Sequence, residues 1–119
     1  MLVEDNRDTR ELLVKSLELT GYEVQAAESA EEALEHLRRN RPDLILSDIA
    51  LPGIDGYEFL NRARQMRGLA DVPAFAVTGY GQEQDVARAH RCGYTGHFVK
   101  PVDLGALDKR IRALFSLGE

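Results

Sequence analysis

Residues 43–53 are DLILSDIALPG, a short apolar run that ends in an aspartate and a turn. Leu44 to Leu46 is apolar without alternation, which is typical of a strand buried on both faces of a parallel sheet. Pro52 and Gly53 then predict a loop before the next helix. Asp48 stands where the strand ends, and open α/β folds bind their ligands at that edge of the sheet. The sequence therefore predicts a functional carboxylate on a central strand.

Three other apolar runs lead to polar side chains in the same manner. These polar residues are Glu4 and Asp5 after Leu2-Val3, Thr78 after Ala74–Val77, and Lys100 after Phe98-Val99. Because the carboxyl ends of parallel strands lie side by side, we expect these groups to form one site with Asp48. Carboxylates for a hard cation, a spare carboxylate, a hydroxyl and an ammonium are the groups needed to move a phosphoryl group.

Local signals place two of the helices. Asp8 and Glu11 have the spacing of a capping box, which predicts the start of the first helix, and Gly21 predicts its end. The last helix is expected to run from Leu104 to Leu117. Its inward stripe is predicted to consist of apolar residues at helical spacing: Leu107, Ile111, Leu114 and Phe115.

The alternation of strands and helices predicts the fold class. Tyr22, Val24 and Ala26 alternate with polar residues, which favours a second strand at the edge of the sheet with one wet face. Units of strand and helix of this length demand a parallel sheet with right-handed crossovers and helices on both faces. We therefore expect an α/β protein with a doubly wound parallel sheet of about five strands.

Composition excludes several classes of function. A chain of 119 residues with 44% hydrophobic residues predicts one globular domain over residues 1–119. Its net charge of −5 argues against direct binding of nucleic acid. No apolar run approaches the roughly 20 residues of a membrane span, so no membrane contact is expected. The single cysteine, Cys92, excludes an internal disulfide and fits a cytoplasmic location.

Four motifs stand in order at the predicted strand ends: residues 2–6 (LVEDN), 47–56 (SDIALPGIDG), 77–81 (VTGYG) and 98–104 (FVKPVDL). Through these motifs the chain resembles the receiver domain of bacterial two-component response regulators over essentially its whole length. The resemblance implies the flavodoxin-like strand order 2-1-3-4-5. Periodicity alone leaves that order open.

The resemblance also implies a metal-dependent phosphoryl acceptor. Asp48 matches the residue that takes a phosphoryl group from a phosphohistidine donor. The implied cofactor is Mg²⁺, with Asp5, Asp48 and the Ala50 backbone carbonyl as direct ligands and Glu4 acting through a bound water. Taken alone, Glu4 and Asp5 would be better explained as an acidic cluster favoured at a helix N-terminus, and it is the presence of Asp48 that favours the metal site.

Further roles follow from the same resemblance. Lys100 is implied to contact a phosphoryl oxygen, and it could equally form a salt bridge with Asp48 in the resting state. Thr78 matches the switch hydroxyl of the family, and Gly79 leaves room for the phosphoryl group. A cis peptide bond is implied before Pro101.

His97 occupies the position at which most receivers carry an aromatic residue that swings inward with the hydroxyl. This departure leaves three readings open for His97: a surface residue, a weaker rotamer switch, or a partner contact. Ala50 and Tyr80 flank the route of a hydrolytic water, and neither is a strong base. We expect slow autodephosphorylation governed by how far Tyr80 shields that water.

Four functional hypotheses can be compared for these polar side chains at the strand ends. The first is phosphorelay signalling, in which Asp48 takes phosphate from a histidine kinase or a phosphotransfer domain. A Mg²⁺-dependent phosphatase would need an added acid–base residue and a substrate cap, so we expect a self-phosphorylating signalling domain and not a turnover enzyme. An FMN-binding module would need a first loop rich in Ser, Thr and Gly. The alternative is a degenerate receiver that only docks proteins, and the complete Asp, Asp, Thr and Lys set argues against it.

Partners are expected on two surfaces. No output domain is evident, so the output partner is unknown or is a fused domain. The abrupt start at Met1 and the pattern around residues 97–103 favour the receiver of a hybrid histidine kinase over a stand-alone regulator. The kinase side is expected to include Asn6, Arg7, Thr9, Arg10, Pro101 and Val102. The output face is expected to include Arg88, Arg91, His97 and Arg110.

Overall fold

A computed structural model of the protein describes residues 1–79 and 83–116, where five strands alternate with five helices. The strands are β1 (Leu2–Val3), β2 (Ala26–Ala27), β3 (Ile45–Asp48), β4 (Ala74–Thr78) and β5 (Gly96–Val99). The helices are α1 (Arg7–Leu19), α2 (Ala30–Arg39), α3 (Gly56–Arg64), α4 (Glu83–Cys92) and α5 (Leu104–Ser116). All strand pairs are parallel and the order is β2-β1-β3-β4-β5, which confirms the predicted fold and strand order. In these ranges, no helix combines the length and the apolar character needed to cross a membrane.

The sheet is covered by helices on both faces. On the face of α1 and α5, the buried side chains include Leu13, Leu17, Leu46, Phe75, Leu107 and Ile111. On the face of α2, α3 and α4, they include Val3, Leu37, Ile45, Phe59, Leu60 and Ala89. Strands β3 and β4 are consequently buried along their whole length, as the continuous apolar runs predicted.

Helix α1 begins directly after Asn6, which is its N-cap. The Asn6 side chain accepts a hydrogen bond from the backbone N–H of Thr9 at 2.9 Å. The predicted capping box was therefore wrong, because Asp8 and Glu11 both lie inside the helix. Since Asn6 already supplies the capping oxygen, Glu11 is free to pair with Arg7 one turn earlier.

Strand β2 lies at the edge of the sheet, as predicted, but it is shorter than the alternation indicated. Only Ala26 and Ala27 pair with β1, because β1 itself is two residues long. Tyr22 and Val24 precede the strand. The Tyr22 hydroxyl donates a hydrogen bond to Oδ1 of Asp108 on α5 at 2.6 Å. This bond holds the segment before β2 against α5.

The inward stripe of α5 is shorter than predicted. Leu107 and Ile111 are buried, but Phe115 is 49% exposed, so its predicted inward position was wrong. Phe115 lies one turn beyond Ile111 and lines an open groove of about 880 Å³ that includes Met1 at the amino end of the sheet. The ring therefore lies at the rim of the core, in contact with solvent.

Arg64 ties α3 to the segments that flank β4. Its guanidinium donates hydrogen bonds to the backbone carbonyls of Leu69 at 3.0 Å, Val72 at 2.5 Å and Gly93 at 2.9 Å. Gly93 directly follows α4, so this side chain fixes the end of α4 relative to α3. The carboxyl ends of the two helices are thereby joined near the amino ends of β4 and β5.

Candidate functional site

Three carboxylates meet at the carboxyl end of the sheet. Val3 is paired with Ser47, so Glu4 and Asp48 project from neighbouring strands one residue further on. One carboxylate oxygen from each of Glu4, Asp5 and Asp48 lies within 4.8 Å of the others. Glu4 and Asp48 are buried, at 2% and 3% exposure, whereas Asp5 is exposed. The cluster is therefore a buried pair of acids with a third acid at its opening.

Lys100 spans the two buried carboxylates. Its Nζ lies 2.5 Å from Oδ2 of Asp48 and 3.2 Å from Oε1 of Glu4. Desolvation lowers the pKa of Lys100, but the hydrogen bonds and charges of Asp48 and Glu4 outweigh it, so the pKa is raised overall. The resting-state salt bridge that the sequence left open is therefore present.

The environment of Glu4 favours the protonated form of its carboxyl group. Burial raises the pKa of Glu4. The hydrogen bond from the Asn6 N–H, at 3.1 Å, acts in the opposite direction, and the charge of Asp48 adds to the rise. The net shift is upward, so Glu4 keeps its proton to a higher pH than an ordinary glutamate does.

This shift leads to a prediction for Glu4→Gln in the metal-free protein. The folded state binds the Glu4 proton more tightly than the unfolded state, so the contribution of Glu4 to the stability of the wild type falls as pH rises between the two pKa values. We expect Glu4→Gln to remove this loss, so that the variant gains stability relative to wild type as pH rises from 4 to 7. Urea unfolding over this pH range measures the difference. Glu28→Gln, at an exposed glutamate, is the control, and equal pH profiles for all three proteins would contradict the prediction.

The segment that follows Asp48 is closed by its own hydrogen bonds. The Ala50 N–H donates to Oδ1 of Asp48 at 3.0 Å, and the N–H groups of Leu51 and Gly56 both donate to the Ile49 carbonyl, at 3.0 and 2.8 Å. A Cβ atom on Gly56 would lie 2.4 Å from the backbone oxygen of Asp48. Only glycine therefore allows α3 to begin this close to the strand end. The motif at residues 47–56 includes Gly56 but does not indicate this contact.

Thr78 ends β4 beside the carboxylates. The strand register pairs Asp48 with Val77 and Thr78 with Val99, the residue before Lys100. Thr78 is 2% exposed, and within the described residues its Oγ1 has no hydrogen-bond partner. An unsatisfied buried hydroxyl costs about 1–3 kcal/mol, so this group is suited to a ligand oxygen that enters the site.

The remaining predicted site residues lie around this centre. Gly79 is exposed and directly follows Thr78. The peptide bond between Lys100 and Pro101 is cis, as the resemblance implied. His97 is half-buried on β5. Its ring packs edge to face against that of His90, with the ring centroids 6.3 Å apart. Tyr80, the residue expected to shield the hydrolytic water, lies outside the described residues.

Two residues expected on the kinase side also support the site itself. Asn6 caps α1, and Arg10 donates from Nη1 to the backbone carbonyl of Glu4 at 3.0 Å. Both contacts hold the turn between β1 and α1. Substitutions at Asn6 or Arg10 would therefore alter the acidic cluster as well as any surface for a partner.

Comparison with known proteins shows the family to which this arrangement of residues belongs. Residues 1–112 match the family described as the response regulator receiver domain. The chain belongs to this family. A 14.6 kDa protein of Leptolyngbya boryana, encoded in the sodA1 3′ region, is 42% identical over 87% of this receiver and 79% of its own length. The transcriptional regulatory protein AfsQ1 of Streptomyces coelicolor is 40% identical over the whole receiver.

A solved structure supports the same assignment. The signal receiver domain of a signal transduction histidine kinase from Syntrophus aciditrophicus superposes with a TM-score of 0.86 and 32% identity, covering 97% of this receiver and 87% of that chain. Receiver domains act in two-component signalling, bind Mg²⁺ at an acidic pocket and interact with histidine kinases or phosphotransfer proteins. They are generally not turnover enzymes. This receiver spans 52% of the length of AfsQ1, so the activities of whole relatives are not carried over.

Proposed function

We propose that this receiver takes a phosphoryl group from a phosphohistidine onto Asp48, with Mg²⁺ as cofactor, and thereby changes its affinity for a partner. The observation that carries the proposal is the buried Asp48 carboxylate, held 2.5 Å from Lys100 at the edge shared with Glu4, Asp5 and Thr78. This arrangement supplies a nucleophile, a mobile cation and a free hydroxyl within one site.

The donor set fits Mg²⁺. Mg²⁺ prefers oxygen ligands, keeps several waters and binds through one or two carboxylates. Asp5, Asp48 and the Ala50 carbonyl are the proposed direct ligands, and Glu4 acts through a bound water. Three carboxylates outnumber the single charge of Lys100, so a divalent cation would relieve their repulsion. When bound, the ion neutralises the charge of the incoming phosphoryl group.

The protein residues then have separate tasks in the transfer. An oxygen of Asp48 forms the new P–O bond while the P–N bond of the phosphohistidine breaks, and the donor imidazole leaves with the bonding electron pair. Lys100 moves from Oδ2 of Asp48 to a phosphoryl oxygen, which keeps its charge paired. Thr78 donates its free hydroxyl to a second phosphoryl oxygen. Gly79 leaves space for the group that has been added.

We propose that phosphorylation alters the output face of the protein through strands β4 and β5. Ala76 of β4 is paired with His97 of β5, so His97 and Thr78 project from the same face of the sheet. A shift of Thr78 toward the phosphoryl group would change the space beside His97 and its contact with His90. This contact favours a weaker rotamer switch over a purely solvated role for His97.

Slow autodephosphorylation is proposed because Ala50 contributes no acid or base beside Asp48. Partners are proposed to be a histidine kinase or phosphotransfer domain and an output protein or fused domain. The structural likeness to a histidine kinase receiver supports a hybrid-kinase origin. The match to a 14.6 kDa relative over most of its length supports a stand-alone regulator instead, so the two origins remain competing proposals.

Metal binding gives the first test of this function. Adding Mg²⁺ at constant ionic strength is expected to stabilise the fold, by about 2.7 kcal/mol when its concentration is 100 times the dissociation constant. Thermal unfolding measures the gain. Asp5→Asn is expected to weaken it, whereas Asp43→Asn, at an exposed aspartate before β3, is expected to retain it. A wild type that is equally stable with and without Mg²⁺ would contradict the proposed cofactor.

Phosphorylation gives the second test. Incubation with acetyl phosphate is expected to add one phosphoryl group, detected by intact mass, only when Mg²⁺ is present. If Mg²⁺ binds but neither acetyl phosphate nor a phosphorylated kinase yields an adduct, the degenerate docking receiver becomes the better description.

A further inference from the structure

Tyr94 is a buried tyrosine that the sequence motifs did not single out. It follows Gly93, whose φ of 107° ends α4, and its backbone N–H donates to the Ala89 carbonyl at 3.0 Å. The side chain is 3% exposed and belongs to the core on the face of α2, α3 and α4. The ring is therefore fixed by its surroundings, and its hydroxyl lies deep in the protein.

The Tyr94 hydroxyl donates a hydrogen bond to the Gly56 carbonyl at 2.7 Å, across 38 positions of sequence. Burial raises the pKa of the Tyr94 phenol, against a smaller opposing effect of the nearby Ser47 hydroxyl. The phenol consequently keeps its proton and remains a donor at any pH used for an assay. This bond joins the end of α4 to the first residue of α3.

Gly56 is in turn packed against the proposed phosphoryl acceptor. Its N–H donates to the Ile49 carbonyl at 2.8 Å, and its Cα has no room for a side chain because of the Asp48 backbone oxygen. The Tyr94 hydroxyl therefore holds Gly56 from one side, while Ile49 and Asp48 hold it from the other. Residues 49–56, which include the Ala50 carbonyl, are closed by these contacts.

We propose that Tyr94 is a positioning residue for the phosphorylation site, which holds residues 49–56 through Gly56 so that the Ala50 carbonyl and the Asp48 carboxylate stay in place for Mg²⁺. Tyr94 touches neither the metal ligands nor the phosphoryl group. The inference rests on the proposed function of Asp48. It adds a residue that acts from the far side of the segment, between α4 and β5.

The test compares two substitutions that each remove one hydroxyl hydrogen bond. Tyr94→Phe removes the bond to Gly56 and retains the ring. Tyr22→Phe is the matched control, because it removes the bond to Asp108 on the opposite face of the sheet. All measurements are made well below the unfolding transition of the least stable protein.

Three quantities are measured: Mg²⁺ affinity by calorimetry, exchange of the Leu51 and Gly56 amide hydrogens in the metal-free protein, and the rate of phosphorylation by acetyl phosphate. We expect Tyr94→Phe to weaken Mg²⁺ binding by roughly tenfold, the low end of the effect of removing groups that orient metal ligands. The two amides should exchange faster and phosphorylation should slow. Tyr22→Phe should match the wild type in all three.

Wild-type Mg²⁺ affinity and amide exchange in Tyr94→Phe would overturn the inference. Equal losses in both tyrosine variants would also overturn it, because the effect would then be one of general stability. A wild type that binds Mg²⁺ but takes no phosphoryl group would contradict the proposed function separately. In that case affinity and exchange would still decide the role of Tyr94.

Discussion

Asp48→Asn is expected to abolish the phosphoryl adduct completely. The amide has nearly the same shape as the carboxylate, so its oxygen can still accept from Lys100 and the fold should be retained. It is not nucleophilic enough to form the acyl phosphate, and Asp48 is the buried carboxylate that lies nearer to Lys100, at 2.5 Å against 3.2 Å for Glu4. Intact mass after incubation with acetyl phosphate and Mg²⁺ measures the adduct.

The control for this substitution is Asp43→Asn, an exposed aspartate just before the same strand. It should give the same yield of adduct as wild type. A persisting adduct in a folded Asp48→Asn protein would place the acceptor elsewhere, and peptide mapping would then locate it. Glu4 would be the first candidate, because its Oε1 lies 3.2 Å from the same lysine.

Gly56→Ala is expected to have the largest effect on stability and to damage the metal site as well. The new methyl group would lie 2.4 Å from the Asp48 oxygen and 2.6 Å from the Ile49 Cα, and both contacts are with backbone that cannot rotate away. Overpacking of this kind costs typically about 1–3 kcal/mol and occasionally more. Because relief requires α3 to move away from the strand end, Mg²⁺ binding should weaken in parallel. Urea unfolding and calorimetric titration measure the two effects.

Gly105→Ala is the matched control for that substitution. Gly105 lies in the first turn of α5, where a methyl group would meet only Oδ1 of Asp103, at 3.3 Å. Alanine favours helix over glycine by up to about 1 kcal/mol, so this variant should be as stable as wild type or more stable. If Gly56→Ala were equally harmless, the proposed tight contact between α3 and the strand end would be wrong.

Much of the fold could be predicted because its signals are local. Continuous apolar runs indicate buried strands wherever both faces of a sheet are covered, and this held for β3 and β4. Which strands are neighbours depends on contacts that periodicity does not contain, so the order came from the resemblance. The start of α1 was misplaced because two capping patterns overlap at residues 6–11, and Asn6 caps the helix before Asp8 can.

The clustering of polar side chains at one edge of the sheet could also be predicted from the sequence, for a geometric reason. Parallel strands all end at the same edge, so Glu4, Asp48, Thr78 and Lys100 could be brought together from their positions alone. The contacts that hold these side chains in place could not be predicted from their positions in the sequence. The hydrogen bond from Tyr94 to Gly56 joins the segment after α4 to the first residue of α3, 38 positions apart in sequence, and no sequence motif indicates that contact. The inward position predicted for Phe115 was wrong for a related reason, because helical spacing indicates the apolar face of a helix but not how deeply each turn is buried.

The unpartnered hydroxyl of Thr78 bears on how strongly phosphorylation would be coupled to a conformational change. The unphosphorylated protein bears a cost of about 1–3 kcal/mol for this buried, unsatisfied group. Under the proposed function, a hydrogen bond to a phosphoryl oxygen removes that cost, and this gain exists only after phosphorylation. The hydroxyl would then add to the free energy by which phosphorylation favours the active conformation over the resting one.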